Sequence, residues 1–264
     1  MILISSRLDF TNSDALLPEG HIIKEIDITK DTTIREISID TLLNELKDKN
    51  VCMLVHGYNN EHEEVRDAYQ IIENNIFRNQ DFKYDLIIGY SWPGGDRALE
   101  WWSAKSRANA VARRFRLLLE LISKNTTVDV ISHSLGARVC LKALKEASTI
   151  LIRNYYCMAG AVDNESIEID EEFNLSLSSL ERLFIMHSAK DEVLASAYRL
   201  AEFDNALGLF GPEDKEQVET QLLNVFVANC KRVVTHHGGY KRSPAVFDYI
   251  ATGQTQNPSR FITL

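Results

Sequence analysis

Ser132-His133-Ser134-Leu135-Gly136 decides the reading of this chain. The stretch follows the apolar run Val128-Asp129-Val130-Ile131 and leads directly into a helical pattern from Gly136 to Glu146. Strand, tight turn with a serine at its tip, helix: this arrangement strains the serine backbone and lifts its Oγ above the end of a sheet. Where strand and helix cross, the residues two before and two after the serine must be small. Gly136 meets that demand, and Ser132 is a small hydroxylated residue where glycine is usual. The plainer alternative is a serine that serves only the turn before Gly136.

On either side of this turn the chain alternates strands and helices. Strands are expected at Ile2-Arg7, Ile22-Ile28, Val51-His56, Asp85-Tyr90, Val128-Ser132, Tyr155-Ala161, Leu183-Ser188 and Leu223-Ala228. Several are near-continuous apolar runs, as in strands buried on both faces of a parallel sheet. Asn60 with Glu63 reads as a capping-box variant. The stripe Val65, Ala68, Tyr69, Ile72 and Ile76 follows it. A longer helix carries Ala104, Ala108, Val111, Phe115, Leu118 and Ile122 at spacings of four and three. Further helices run from Glu192 to Glu202 after Asp191, and from Ala245 to Ala251 after Pro244. The predicted fold class is α/β, a mostly parallel doubly wound sheet with helices on both faces and no large cap domain. One domain, residues 1–264, is expected: there is no repeat, linker or low-complexity tract.

Composition bounds the function. With 45% hydrophobic and 25% charged residues the chain is an ordinary globular one. A formal net charge of -9 argues against nucleic acid or an anionic membrane as partner. No apolar run is long enough to insert stably in a membrane. Met1 to Arg7 lacks a basic leader and reads as a first strand rather than a secretory signal. Cys52, Cys140, Cys157 and Cys230 are widely spaced in apolar segments, so free thiols in the cytoplasm are expected. No metal and no organic cofactor is expected: the cysteines lack paired spacing, and His236-His237 has no third ligand at a diagnostic distance.

Ligands of doubly wound sheets sit beyond the C-terminal strand ends. Four segments fall there. Ser134 needs an adjacent base to become a nucleophile. Asp191, just past an apolar strand, could orient that base or cap the following helix; Asp163, past the preceding strand, is its rival. The base is sought in His236-His237-Gly238-Gly239. His237 is preferred because it abuts the glycines, with His236 the alternative. His56-Gly57-Tyr58-Asn59 follows an early strand, and the Tyr58 N–H together with the Leu135 N–H would form an oxyanion hole. Trp92, at a strand end, is assigned to the substrate pocket wall. Trp101 and Trp102 point about 100° apart on a helix, so they cannot share one environment. The fate expected of Arg138 is a buried ion pair or solvent. The acidic stretch from Val162 to Glu181 is expected to be a solvated loop.

The order Ser134, Asp191, His237 and these turns make the chain resemble the α/β-hydrolase superfamily. More narrowly it resembles uncharacterised bacterial-type hydrolases with an HGYN turn (His56 to Asn59), a SWP turn (Ser91 to Pro93) and an HSLG elbow (His133 to Gly136). The resemblance spans about Val51 to Ile250, and earlier residues fit leading antiparallel strands. It implies a Ser-His-Asp triad and an esterase- or lipase-like reaction on a small-molecule or lipid-like acyl substrate. The same triad could serve an acyltransferase, and the fold could serve a binding module without turnover.

Overall fold

A computed structural model describes residues 1–95, 97 and 100–264 of the chain. The strands are β1 (Ile2–Ser5), β2 (Ile22–Asp27), β3 (Thr32–Glu36), β4 (Asn50–Val55), β5 (Leu86–Ser91), β6 (Thr127–His133), β7 (Ile152–Met158), β8 (Leu180–His187), β9 (Val225–Asn229) and β10 (Phe261–Thr263). The helices are α1 (Ile39–Leu46), α2 (His62–Arg78), α3 (Trp101–Ile122), α4 (Gly136–Lys145), α5 (Arg199–Glu202), α6 (Leu207–Phe210), α7 (Lys215–Thr220) and α8 (Pro244–Thr255). The sheet order is β10-β9-β8-β7-β6-β4-β5-β1-β2-β3. Every pairing from β1 to β10 through the centre is parallel, and only β1–β2 and β2–β3 are antiparallel.

This order creates the switch point that positions the site. From β4 the chain crosses to β5 on one side, then returns to β6 on the other. Right-handed crossovers therefore put α2 and α3 on opposite faces and open a crevice between the carboxyl ends of β4 and β6. The stripe of α2 is buried at Val65, Ala68, Tyr69, Ile72 and Ile76. That of α3 is buried at all six expected positions, from Ala104 to Ile122. Each large aliphatic or aromatic side chain so buried contributes about 1.5–3 kcal/mol of transfer free energy.

Several elements differ from expectation for local reasons. The α2 N-cap is Glu61, not Asn60. Its carboxylate and that of Glu64 form the reciprocal box. The Asn60 carbonyl is taken instead by Arg7 Nη2, 2.9 Å away. β3 carries no burial pattern, all five of its residues being exposed, and so lies outside the expected strands. The acidic stretch is no solvated loop. Glu168 is buried and its Oε1 accepts the Asp214 N–H at 2.8 Å, while Phe173 and Ile167 are in the core. Arg138 pairs with Glu172 at 2.7 Å, a buried cation meeting a half-exposed acid. All four cysteines are buried and unpaired. No described helix is long and apolar enough to cross a membrane.

Burial also pushes five histidines down, His62 among them. His21 and His187 are pushed down to about 4 and His133 to about 3, in each case mainly by desolvation. His56 is held well below the ordinary value by burial and then by the Arg7 charge. The unfolded chain binds protons at these rings near pH 6.5 while the folded chain refuses them. Their stabilisation is therefore complete above that pH and is lost as pH falls toward the folded values. Glu73, Glu165 and Glu168 are raised by burial and oppose the trend, so the measured slope is the difference. The unfolding free energy is expected to drop between pH 6.5 and 5, by up to about 1.4 kcal/mol per pH unit per histidine. Urea titrations at pH 7, 6 and 5 check this; a profile flat over that range contradicts it.

Candidate active site

Ser134 stands between β6 and α4 with φ +54°, a left-handed conformation for a residue with a side chain. Such a backbone costs about 1–2 kcal/mol and persists only where neighbours hold it. Here the Ser134 N–H donates to Met158 O at 3.0 Å, and its carbonyl accepts from Ala137 N–H at 3.0 Å and Ala161 N–H at 3.1 Å. Gly136 is obligatory: a Cβ there would lie 2.5 Å from the His56 carbonyl oxygen. Ser132 is accommodated differently. It is fully buried, and its hydroxyl hydrogen-bonds the Tyr155 hydroxyl at 2.7 Å. A serine can therefore stand where glycine is usual, because its polar atom has a partner.

The loop from His56 to Asn60 faces this turn. A Cβ on Gly57 would lie 2.8 Å from Ser134 Cβ, so only glycine lets the loop come this close. His56 braces the loop from behind. Its Nδ1 donates to Gly57 O at 2.8 Å, and its Nε2 accepts the Trp92 N–H at 3.0 Å. Trp92 stacks on that ring with centroids 5.4 Å apart, and its indole N–H donates to the His56 carbonyl at 2.8 Å. Trp92 is thus fully buried scaffold. Its assignment to the pocket wall is corrected, because its aromatic face is spent on His56. Arg7, buried and pushed down to about 10, ties the same region together. It donates to the carbonyls of Trp92 at 3.1 Å and Thr11 at 3.1 Å, as well as to that of Asn60. Among the described residues, the N–H groups of Tyr58 and Leu135 donate to no protein acceptor.

Asp191 and His237 meet. His237 Nδ1 lies 2.7 Å from Asp191 Oδ2, and the carboxylate is fully buried. Asp191 Oδ1 also accepts the Leu194 N–H at 3.0 Å, so one aspartate both caps a helix and orients an imidazole. A carboxylate can only accept, so Nδ1 carries the proton and Nε2 keeps its lone pair. Among the described residues no hydrogen bond joins Ser134 Oγ to the ring. Catalytic contacts are often long without substrate and tighten when it binds. Asp163 is engaged elsewhere, accepting from the Tyr198 hydroxyl at 2.5 Å. His236 is exposed and lines a separate surface depression with Arg242 and Pro244. Gly238 and Gly239 are not used for left-handed torsions. His237 opens a 3-10 turn that runs to Arg242, and a Cβ on Gly239 would press on Val234 at 3.2 Å.

His133, which the sequence alone gives no role, supports this arrangement. Its Nε2 lies 3.0 Å from the His237 carbonyl oxygen, and the two rings are 4.6 Å apart. Held neutral by burial, His133 donates an N–H to that carbonyl and ties the histidine loop to the strand that carries Ser134. The only available signal was its place beside the serine. A cavity of about 220 Å³ lies alongside, lined by Gly57, Tyr58, His237 and Lys241 and by the apolar Ile72 and Met158. Trp101 packs edge-on against Tyr58 and Tyr198, at 5.8 and 5.4 Å, whereas Trp102 is 60% exposed.

A parallel sheet with a strained serine turn at its switch point defines the class of α/β hydrolases. The chain belongs to the family described as alpha/beta hydrolase of unknown function (DUF900), matched over residues 31–252. Its fold is similar to that of the esterase PE8, with 13% identity, 79% of this chain and 92% of that chain covered and a TM-score of 0.50. The product of gene lin2722 from Listeria innocua aligns with 10% identity, over 82% of this chain and 99% of that one, at a TM-score of 0.44. No curated protein matches the sequence.

Proposed function

We propose that this protein is a serine hydrolase that cleaves a carboxylic ester or related acyl bond. Ser134 Oγ attacks the carbonyl carbon while His237 Nε2 takes the hydroxyl proton. Asp191 holds the Nδ1–H tautomer and stabilises the imidazolium that forms. The N–H groups of Tyr58 and Leu135 receive the negative charge that develops on the carbonyl oxygen. Collapse of the tetrahedral intermediate breaks the ester C–O bond, and His237 returns the proton to the leaving alcohol. Water then attacks the acyl-enzyme, giving its proton to His237, and the carboxylic acid leaves as Ser134 is reprotonated.

The observation that carries this reading is the 2.7 Å contact between His237 Nδ1 and the buried Asp191 carboxylate. A buried carboxylate that fixes one tautomer of a half-buried histidine is costly to maintain for structure alone. The resemblance of the fold to an esterase supports the reaction class. Treatment with a fluorophosphonate followed by peptide mapping tests it. The adduct is expected on Ser134 of the folded protein. An adduct on Ser132, or no labelling at all, overturns the assignment.

A further inference from the structure

A second cavity, larger than the one beside His237, lies elsewhere on the molecule. It is an open cleft of about 790 Å³ between the segment Pro18 to Ile23, the start of α1 and the outer face of α3. None of its lining residues belongs to the candidate active site. On α3 the lining positions are Ala110, Arg113, Arg114, Leu117, Leu118 and Leu121. Their spacing of three and four marks a second stripe on this helix, beside the one that faces the core. Leu117 and Leu121 are 46% and 40% exposed. Ile23, Ile37 and Ile39 form the opposite wall.

Two polar groups that line this cleft lack partners. Arg114 Nη2 donates to the Pro18 carbonyl at 3.0 Å, but its Nη1 is buried with no acceptor among the described residues. His21 Nε2 is likewise buried and unpartnered, its ring edge-on to Tyr90 at 5.7 Å. A buried donor without an acceptor costs about 1–3 kcal/mol, so two in one cavity call for a ligand that accepts from both. Among the described residues Arg113 and Arg114 form no ion pair, and Glu19, the only acid of the lining, is exposed and pairs with neither. Arg113 is exposed at the rim, and Arg114 is the cation with a buried, uncompensated nitrogen, in a chain of net charge -9. Such a volume falls in the usual range of small-molecule sites, about 300–1,000 Å³.

We propose that this cavity is a second ligand site, independent of the catalytic reading, that binds a free alkyl carboxylate. The carboxylate accepts from Arg114 Nη1 and His21 Nε2, and the alkyl chain lies along Leu117, Leu121 and the isoleucine wall. The acceptor must be anionic, because Arg114 carries a full charge and its buried Nη1 is uncompensated. The tail must be apolar, because Ile23, Ile37, Ile39, Leu117, Leu118 and Leu121 make up most of the lining away from Arg114 and His21.

Dodecanoate, kept below its micellar concentration, is the probe. Titration is expected to shift the methyl NMR signals of Leu117 and Leu121 and to raise the titration midpoint of His21 from about 4. Arg114→Met is expected to weaken binding at least tenfold, and dodecyltrimethylammonium should not compete. Because Arg114 also holds the Pro18 carbonyl, Ala110→Trp provides a second variant. It starts from an exposed helix position, fills the cavity and should abolish the same shifts. Shifts confined to residues around His237, unchanged affinity in both variants, or equal competition by the cationic amphiphile would each overturn the proposal.

Discussion

Ser134→Ala is expected to lower the hydrolysis of an activated ester such as p-nitrophenyl acetate by about 10⁴- to 10⁶-fold, with the fold intact. The size of the effect follows from the proposed role. Without Oγ no covalent intermediate forms, and only substrate binding and the oxyanion donors remain, together about 10³–10⁴ over water. That the fold survives follows from the geometry. Alanine keeps the Cβ, so the left-handed turn at φ +54° is neither relieved nor worsened. The three backbone hydrogen bonds that hold the turn do not involve the side chain. Among the described residues Oγ has no protein partner, so its removal orphans nothing. Urea unfolding of the variant should match the parent within about 0.5 kcal/mol, as for a substitution that breaks no packed or paired feature. An alanine variant that keeps a tenth of the activity would place the nucleophile elsewhere.

The fold was legible wherever burial imposed a pattern. β4 and the second half of β8, Leu183 to Met186, are apolar because helices cover both faces of the sheet, and an apolar run of strand length fits a strand with no face in water. Where burial is absent the signal fails. β3 lies at the sheet edge with every residue exposed, and β10 is three residues long. Boundaries failed where a distant residue competed for a local role. Asn60 and Glu63 satisfy the spacing of a capping box, but Arg7, far away in sequence, claims the Asn60 carbonyl and the cap moves to Glu61.

The candidate site was legible as a set of turns, less so as a set of partners. Serine, aspartate and histidine could be placed because each follows a strand, and strand ends converge in this fold. The supporting residues could not. His133 acts on a backbone carbonyl of a loop 104 residues away. Trp92 escapes a sequence-based placement because position at a strand end says nothing about which way an indole turns, and here it turns inward to His56. In the acidic stretch charge does not mean solvation, because Glu168 and Glu172 find a backbone N–H and an arginine in the folded chain.

Separating the neighbours in the histidine pair also fixes the acid. His237→Ala should reduce kcat/KM by about 10⁴- to 10⁶-fold, comparably to Ser134→Ala, because residues that act as a unit lose their effect together. His236→Ala should leave it near the parent value, since that ring is exposed and lines a different depression. Asp191→Asn is the more specific probe. The amide retains an oxygen to cap the Leu194 N–H, so the helix start should survive. Its N–H, however, now faces His237 Nδ1, which lay 2.7 Å from a carboxylate oxygen. Two donors cannot face each other, so the ring proton moves to Nε2 and the lone pair that must accept the serine proton is lost. The expected loss is about 10⁴-fold in kcat, the magnitude for the analogous tautomer switch in a serine protease. All three variants should be compared on one activated ester, with circular dichroism confirming each fold. Should His236→Ala be inactive and His237→Ala active, the base is His236 and the 2.7 Å contact is structural. If Asp191→Asn falls no further than His236→Ala, the aspartate is a helix cap and nothing more.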